Sequence, residues 1–478
     1  MKDDENELLD RMQLNADPLA DDTMETIMGP WGQLAADGTV SQYPEWPAQF
    51  KKIAAVTRVF GDWTSNDNLS GWQPAPDLAP EIAAPLLQYV AASRSLPAWA
   101  DRTKMARAEE LFMDYGALSV TLLFCASLPE CYVIPDLSAV LHVSGQLEKH
   151  TDYRVRSTGA MIFPVMMHGG LTDAAGGGVA QIFKVRLIHA TIRNLILRKS
   201  PEQAVTNLAS NAAGIVAPLL NFAESTNMHQ VLFAHGWKTG EDGLPCNQEE
   251  LAYTLLTFGY VFLRGLRKLG LGFTRADEEA YLHTWNVTGH MLGIDRVLMA
   301  DTMDDAAKLF ARMQARGRAD QREHDDVPDP RPDLGNALIN AMTSVIPFNI
   351  FKPFPLLMTR YLVGSQTSKD LGLAAHAPWL SRLLFYTMLG VSRVIDSVAR
   401  AVWPEFSITR FLMRILGYRF ITQLLMDQTR PLKLPEHLLN RVSAIVESWS
   451  DDRKAPQWLN RVEDAVTTQG SWNASPPK

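Results

Sequence analysis

Within the stretch KVRLIHATIRNL (184–195), Arg186, His189 and Arg193 are spaced to fall in one stripe of a helix. Val185, Ile188 and Ile192 sit beside that stripe. Three groups able to carry positive charge, aligned on a half-apolar face, make poor core material. They suit something flat and anionic lying against the helix. A haem in a helical pocket asks for this set: a neutral imidazole for the iron, apolar walls for the porphyrin and cations for two propionates. On the residues alone, a core histidine satisfied by a hydrogen bond is the simpler reading of His189.

No other constellation competes. His142, His150, His168 and His235 fall near expected turns, without a partner at ligand spacing. His283 and His290 are seven residues apart, whereas a metal pair on a helix needs a spacing of three or four. Glu279 precedes His283 by four, but a di-iron site needs Glu-x-x-His on a second helix as well. Both histidines therefore read as hydrogen-bonded helix residues. The run AAGGGVAQ (174–181) lacks the Lys-Ser/Thr of a phosphate loop and the strand of a dinucleotide fold, and reads as a flexible helix start. Cys125, Cys131 and Cys246 form no CxxC or CxxCH, which argues against a disulfide framework, a zinc cluster and a covalently attached haem.

The elements that must position His189 are helical. From about 48 to 312, segments such as 80–92, 103–125, 153–167, 178–197, 201–222, 248–269 and 275–292 repeat apolar residues every three or four positions. Several open on capping signals: Asp101, Ser200-Pro201 with Glu202, and Asn247 with Glu250. Strand-like alternation is rare, so an all-α fold is expected, a large helical bundle. Residues 1–26 hold nine acids against Lys2 and Arg11, which concentrates nearly all of the net charge of −8 there. Residues 1–45 accordingly read as an acidic mobile arm, followed by a helical domain over 46–312. The charge-mixed, proline-containing stretch ARGRADQREHDDVPDPRPDL marks a linker over 313–334, with a second helical region at 335–448 and a tail at 449–478.

No broad excess of Lys and Arg exists to neutralise phosphates, which excludes nucleic acid as a partner. The start MKDDENELLD has no export-signal pattern, so a cytoplasmic location is expected. The longest apolar run, 115–128, is short of the ~20 residues that span a bilayer. In the second region, Arg382, Arg393, Arg400, Arg410, Arg414 and Arg419 stud amphipathic helices. Arginine stems lying over a helical core is the leading explanation; peripheral membrane contact is the other.

The stretch RLIHATIRNLI resembles the proximal-histidine helix of the latex-clearing protein (rubber oxygenase) and MpaB-type oxygenase family, helical, globin-like b-type haem proteins. Two further blocks resemble the family in the same order. One is SGQLEKHTDYRVRSTGAMIFPVMMHGGL (144–171), and the other begins LPCNQEELAYTLL and ends HTWNVTGHMLGI (244–294). The resemblance covers roughly residues 100–310.

It implies haem b with His189 as the iron ligand, Arg186 and Arg193 toward the propionates, and dioxygen as co-substrate. Arg154 and Thr158 match the family's distal arginine and threonine, with Arg156 the alternative in a one-residue shift. Ser157 stands where latex-clearing proteins carry a lysine able to close the sixth iron position, which implies a more open distal site. The family's distal glutamate has no secure counterpart; Glu148 is the nearest. The implied activity is oxidative cleavage or oxygenation of an apolar unsaturated substrate, isoprenoid- or lipid-like. Without an export signal, polymeric rubber is not the expected substrate. A haem-binding sensor or carrier without turnover, and a cofactor-free helical membrane-surface protein, are the alternatives.

Overall fold

The expected helix starts are realised side chain by side chain. The computed structural model describes residues 2–31, 46–93, 95–134, 151–208, 214–219, 227–323, 329–344, 346, 348–374, 377–399 and 407–409. Asp101 accepts from the Thr103 and Lys104 amides, Ser200 from Gln203, and Asn247 from Glu250 while its own amide donates back to the Glu250 carboxylate. Each satisfies N–H groups that have no partner inside the helix.

Helices α1 (Lys2–Gln13), α2 (Pro18–Met28), α3 (Trp46–Val59), α4 (Asn66–Ser70), α5 (Pro80–Ser93) and α6 (Arg102–Asp114) come first. Helix α7 (Gly116–Leu122) runs into a π-helical turn (Leu123–Ser127) and α8 (Leu128–Cys131). Then follow α9 (Thr151–Met166), α10 (Gly178–Leu197), α11 (Pro201–Leu208), α12 (Met228–Ala234), α13 (Thr239–Asp242), α14 (Gln248–Phe258), α15 (Tyr260–Leu269) and α16 (Arg275–Met291). Helices α17 (Met303–Glu323), α18 (Arg331–Ser344), α19 (Phe354–Val363), α20 (Ser365–Asp370) and α21 (Trp379–Ala399) complete the described order. Among the described residues the sheet content is one two-residue antiparallel ladder, Ile215–Val216 with Trp237–Lys238. The fold is all-α, as expected.

Two expected boundaries differ. Within the expected arm, α1 and α2 are packed helices: Leu9, Met12, Ala20, Met24 and Ile27 are buried in the common core. The Leu244 and Gln248 amides bond the Gln13 and Asn15 carbonyls, fastening the turn between α1 and α2. Within the expected linker, α17 continues to Glu323. Its arginines are answered there, Arg316 by Asp10 (2.7 Å) and Glu249 (3.1 Å), Arg318 by Asp370 (2.8 Å). High charge signalled a solvated spacer; opposite charges on neighbouring helices make it a seam. The buried Glu130 carboxylate, accepting from Arg264, Gln314 (2.7 Å) and Thr367 (3.1 Å), joins α8, α15, α17 and α20, so the C-terminal helices share one core with the rest.

The turn before α10 sets where that helix begins. Asn66 of α4 donates to the Gly170 and Asp173 carbonyls and accepts from the Val179 amide at the α10 N-terminus (3.0 Å), a cap supplied from another helix. The glycine run expected to be flexible is tightly packed: a Cβ on Gly176 would lie 2.3 Å from the Gly169 carbonyl oxygen. Gly169 itself takes φ +68°, the left-handed region that favours glycine. Its amide donates to the buried Glu109 carboxylate of α6 (2.9 Å).

Burial pushes the Glu109 carboxyl up from 4.5 to about 7, outweighing the Gly169 hydrogen bond that favours its ionised form. The folded chain therefore binds an extra proton between those values. Its contribution is greatest at low pH and is lost as pH rises through that window. Thermal melts across the window are expected to fall with rising pH in the wild type and to flatten in Glu109→Gln; equal slopes would refute the assignment.

Candidate functional site

Helix α10 is buried along most of its circumference. Its half-buried residues, Lys184, Val185, Ile188, His189 and Ile192, recur at a four-residue interval and so form one line along it. The imidazole expected to do chemistry therefore sits on the face of α10 that the core leaves incompletely covered, with three aliphatic neighbours. Helix α9 packs along α10, and Thr158 and Met161 of α9 are likewise half-buried. Arg154, Arg156 and Ser157 fall within α9, but their side chains lie outside the described residues, as does Glu148.

Arg186 and Arg193 do something other than expected. Arg186 grips Asp17 through Nε and Nη2, both at 2.7 Å, and donates Nη1 to the Met291 carbonyl (3.1 Å). Its guanidinium lies 5.8 Å from the centre of the Tyr89 ring. Arg193 is fully buried; its Nε bonds Asp21 (2.7 Å) and its Nη1 the Cys246 carbonyl (2.8 Å). The expected propionate cations are thus the α10 half of a seam with α2. Asp17-Pro18 is a helix-start signal, followed by apolar residues at Ala20, Met24, Ile27 and Met28. Two acids one turn apart on that helix were the available sign that the arginines had partners.

The seam is electrostatically costly as well as specific. Burial raises the Asp21 carboxyl to about 6 despite the Arg193 charge beside it. His283 accepts the Asp101 amide (2.8 Å), and both His283 and His290 stand edge-on to Trp99, in keeping with structural helix histidines. Among the described residues, the cluster with metal-ligand spacing is the carboxylate triple Asp22, Glu25 and Glu202, which holds no histidine.

Truncating one member of a buried pair strands the other's charge, at a cost of about 3–5 kcal/mol, whereas an apolar replacement of both is far milder. Asp21→Ala is expected to lose stability on that scale in urea unfolding, and Asp21→Leu combined with Arg193→Met to recover most of it. A loss no larger than that of a surface substitution would show that the pair does not hold α2 on α10.

Three likenesses bear on this geometry. The family model "ER-bound oxygenase mpaB/B'/Rubber oxygenase, catalytic domain" matches residues 114–394, from the end of α6 into α21. That span crosses the expected linker without a break, in line with the shared core. The rubber oxygenase of Streptomyces sp. (strain K30) is 23% identical over 340 residues, covering 70% of this chain and 69% of that protein. A solved structure of latex clearing protein in the closed state superposes with a TM-score of 0.54 at 17% identity, covering 91% of this chain and 90% of that one, and so shares the helical fold. With a family match over more than half its length, this chain belongs to the mpaB/rubber oxygenase family of oxygenases.

Proposed function

We propose that this oxygenase is b-type haem-dependent and uses dioxygen to cleave or oxygenate an apolar unsaturated molecule of isoprenoid or lipid kind. The observation that carries the reading is the half-buried line Val185, Ile188, His189 and Ile192 on an otherwise buried helix, inside the family-matched span. One imidazole among aliphatic side chains, with no acid in the line, is a donor set that fits haem. When bound, the haem would supply an iron centre for dioxygen chemistry.

His189 is the residue that would ligate the iron, and Val185, Ile188 and Ile192 would lie along the porphyrin. Because Asp17 and Asp21 occupy Arg186 and Arg193, a propionate needs another cation. Lys184 flanks the line and has no hydrogen bond or ion pair among the described residues; burial pushes its ammonium down to about 8. An anionic group beside it would offset that cost.

In this reading Arg154, one helical turn before Thr158 in the sequence of α9, would be the residue to donate to developing negative charge. A narrow apolar cavity lies between the π-helical turn, α9 and α16, lined by residues including Leu123, Ile162, Phe163 and Tyr281. Such walls exclude water. A π-helical turn at this wall has the placement that functional sites favour.

Purified after expression with haem supply, the wild type is expected to show a Soret band and His189→Ala to lose it; a colourless wild type would overturn the reading. Lys184→Met is expected to speed haem transfer to apomyoglobin about tenfold, or ~1.4 kcal/mol. The reduced holoprotein given oxygen and a small isoprenoid should form a carbonyl product. Haem retention without product across a panel of alkenes would leave a carrier or sensor instead.

A further inference from the structure

Helix α21 is built inside out. Its inward face carries Ser381, Ser392 and Asp396 beside Phe385 and Leu389, all buried. Its outward face carries Trp379 (73% exposed), Leu383 (56%), Val394 (66%) and Val398 (67%), together with Leu380, Tyr386 and Val391. The patch extends beyond the helix. Exposed Phe348 packs on Phe351, Phe351 on Phe354, Phe354 on Phe385 and Phe385 on Tyr386, with Ile350 exposed alongside. Isolated surface apolar residues are ordinary, but a contiguous face of this kind marks something that covers it.

Charge shows what that is. Residues 345–400 hold six basic residues against two acids, in a chain of net charge −8. Both acids are engaged: Arg318 bonds Asp370 (2.8 Å), and the buried Asp396 accepts from Ser407 (2.8 Å) and Thr409 (3.3 Å). Lys352, Lys369 and Arg382 are exposed. On α21 the helical period puts Arg382 and Arg393 along one border of the outward face, next to Trp379 and Tyr386. Arg393 turns its guanidinium back to the Lys268 carbonyl and the Tyr361 hydroxyl. Aliphatics in the middle, aromatics and arginines at one edge and, among the described residues, no free acid make the arrangement of a helix lying in a lipid headgroup layer. Among the described residues no single helix is long and apolar enough to cross a membrane, so the contact is lateral. A second copy fits poorly, because a two-fold contact would bring basic borders together, and both acids among the described residues of the patch are already engaged.

We infer that the outward face of α21, with Phe348 and Ile350, docks peripherally on an anionic lipid bilayer. Vesicle binding is read without haem or turnover, so it stands or falls separately from the oxygenase reading.

The full chain is tested by co-sedimentation with phosphatidylcholine vesicles, with and without phosphatidylserine, while oxidative footprinting reads Trp379 and Tyr386. Binding is expected to be at least about tenfold stronger with phosphatidylserine and to weaken with added salt. Leu383→Glu with Val394→Glu is expected to lower it at least about tenfold more, without moving the thermal melt, since both side chains project outward. Trp379 and Tyr386 should be accessible in the free protein and protected on vesicles. Failure to bind either vesicle overturns the inference. So does protection of both rings in the free monomer, which would assign the face to the chain's own remainder. A dimer seen by light scattering that the double variant dissolves would assign it to a second copy.

Discussion

The two arginine–aspartate contacts between α2 and α10 set the rotation of α10 about its own axis, and the rest of the site follows from that rotation. Arg186 and Arg193 lie two turns apart on one side of the helix, and each meets a carboxylate of α2 at 2.7 Å. Rolling α10 by one residue would carry a buried guanidinium away from its acid and into apolar surroundings. A desolvated charge without a partner costs several kcal/mol, a large share of the stability of an ordinary domain. Pinned in this way, α10 turns Val185, Ile188, His189 and Ile192 to the adjoining flank, where cover is incomplete. A purely apolar seam would tolerate such a roll more readily, since hydrophobic contact is non-directional.

The opposing forces at that seam are unequal. Burial lifts the Asp21 carboxyl to about 6, so the protein holds this charge at a loss that Arg193 only partly repays. The contacts are therefore better understood as fixing geometry than as maximising stability. The turn at Glu109, Gly169 and Asn66 acts with them, setting the axial start of α10 while the ion pairs set its rotation. Two constraints of different kind, one along the axis and one around it, define where His189 stands.

Much of this was legible from residue patterns. Three- and four-residue apolar spacing identified most of the helices, and Asp101, Ser200 and Asn247 cap where expected. The helix expected over 201–222, however, ends at Leu208 ahead of the Ile215–Val216 strand, and that over 103–125 breaks after Asp114. The stripe around His189 was recognisable as unusual. What failed was inference from composition without partners. Nine acids near the start suggested a solvated arm, yet Asp17 and Asp21 face inward because arginines more than 160 residues away receive them. The charged stretch after residue 312 suggested a spacer for the same reason, and Arg316 and Arg318 find acids on other helices. The sign of a charge is local, whereas its partner is a property of the fold. Assigning Arg186 and Arg193 to an anionic ligand was sound chemistry applied to the wrong anion.

Helix α21 poses the reverse problem, an apolar surface with no partner in the described chain, and its position relates it to the interior. It rests on α19 through Phe385 and Phe354, at 5.4 Å between ring centres. Helix α19 packs against the π-helical turn, whose Leu123 and Ser127 line the apolar cavity beside α9. Helix α21 and the cavity wall are thus separated by one further helix, α19. An alkene of isoprenoid or lipid kind is scarce in water and concentrated in a bilayer by the same transfer free energy that buries side chains. For such a substrate, encounter is governed by where the enzyme sits more than by the width of its pocket. On the proposed membrane reading, a basic-edged apolar helix one helix away from the cavity wall would account for hydrophobic residues at α21 that folding alone would have turned inward.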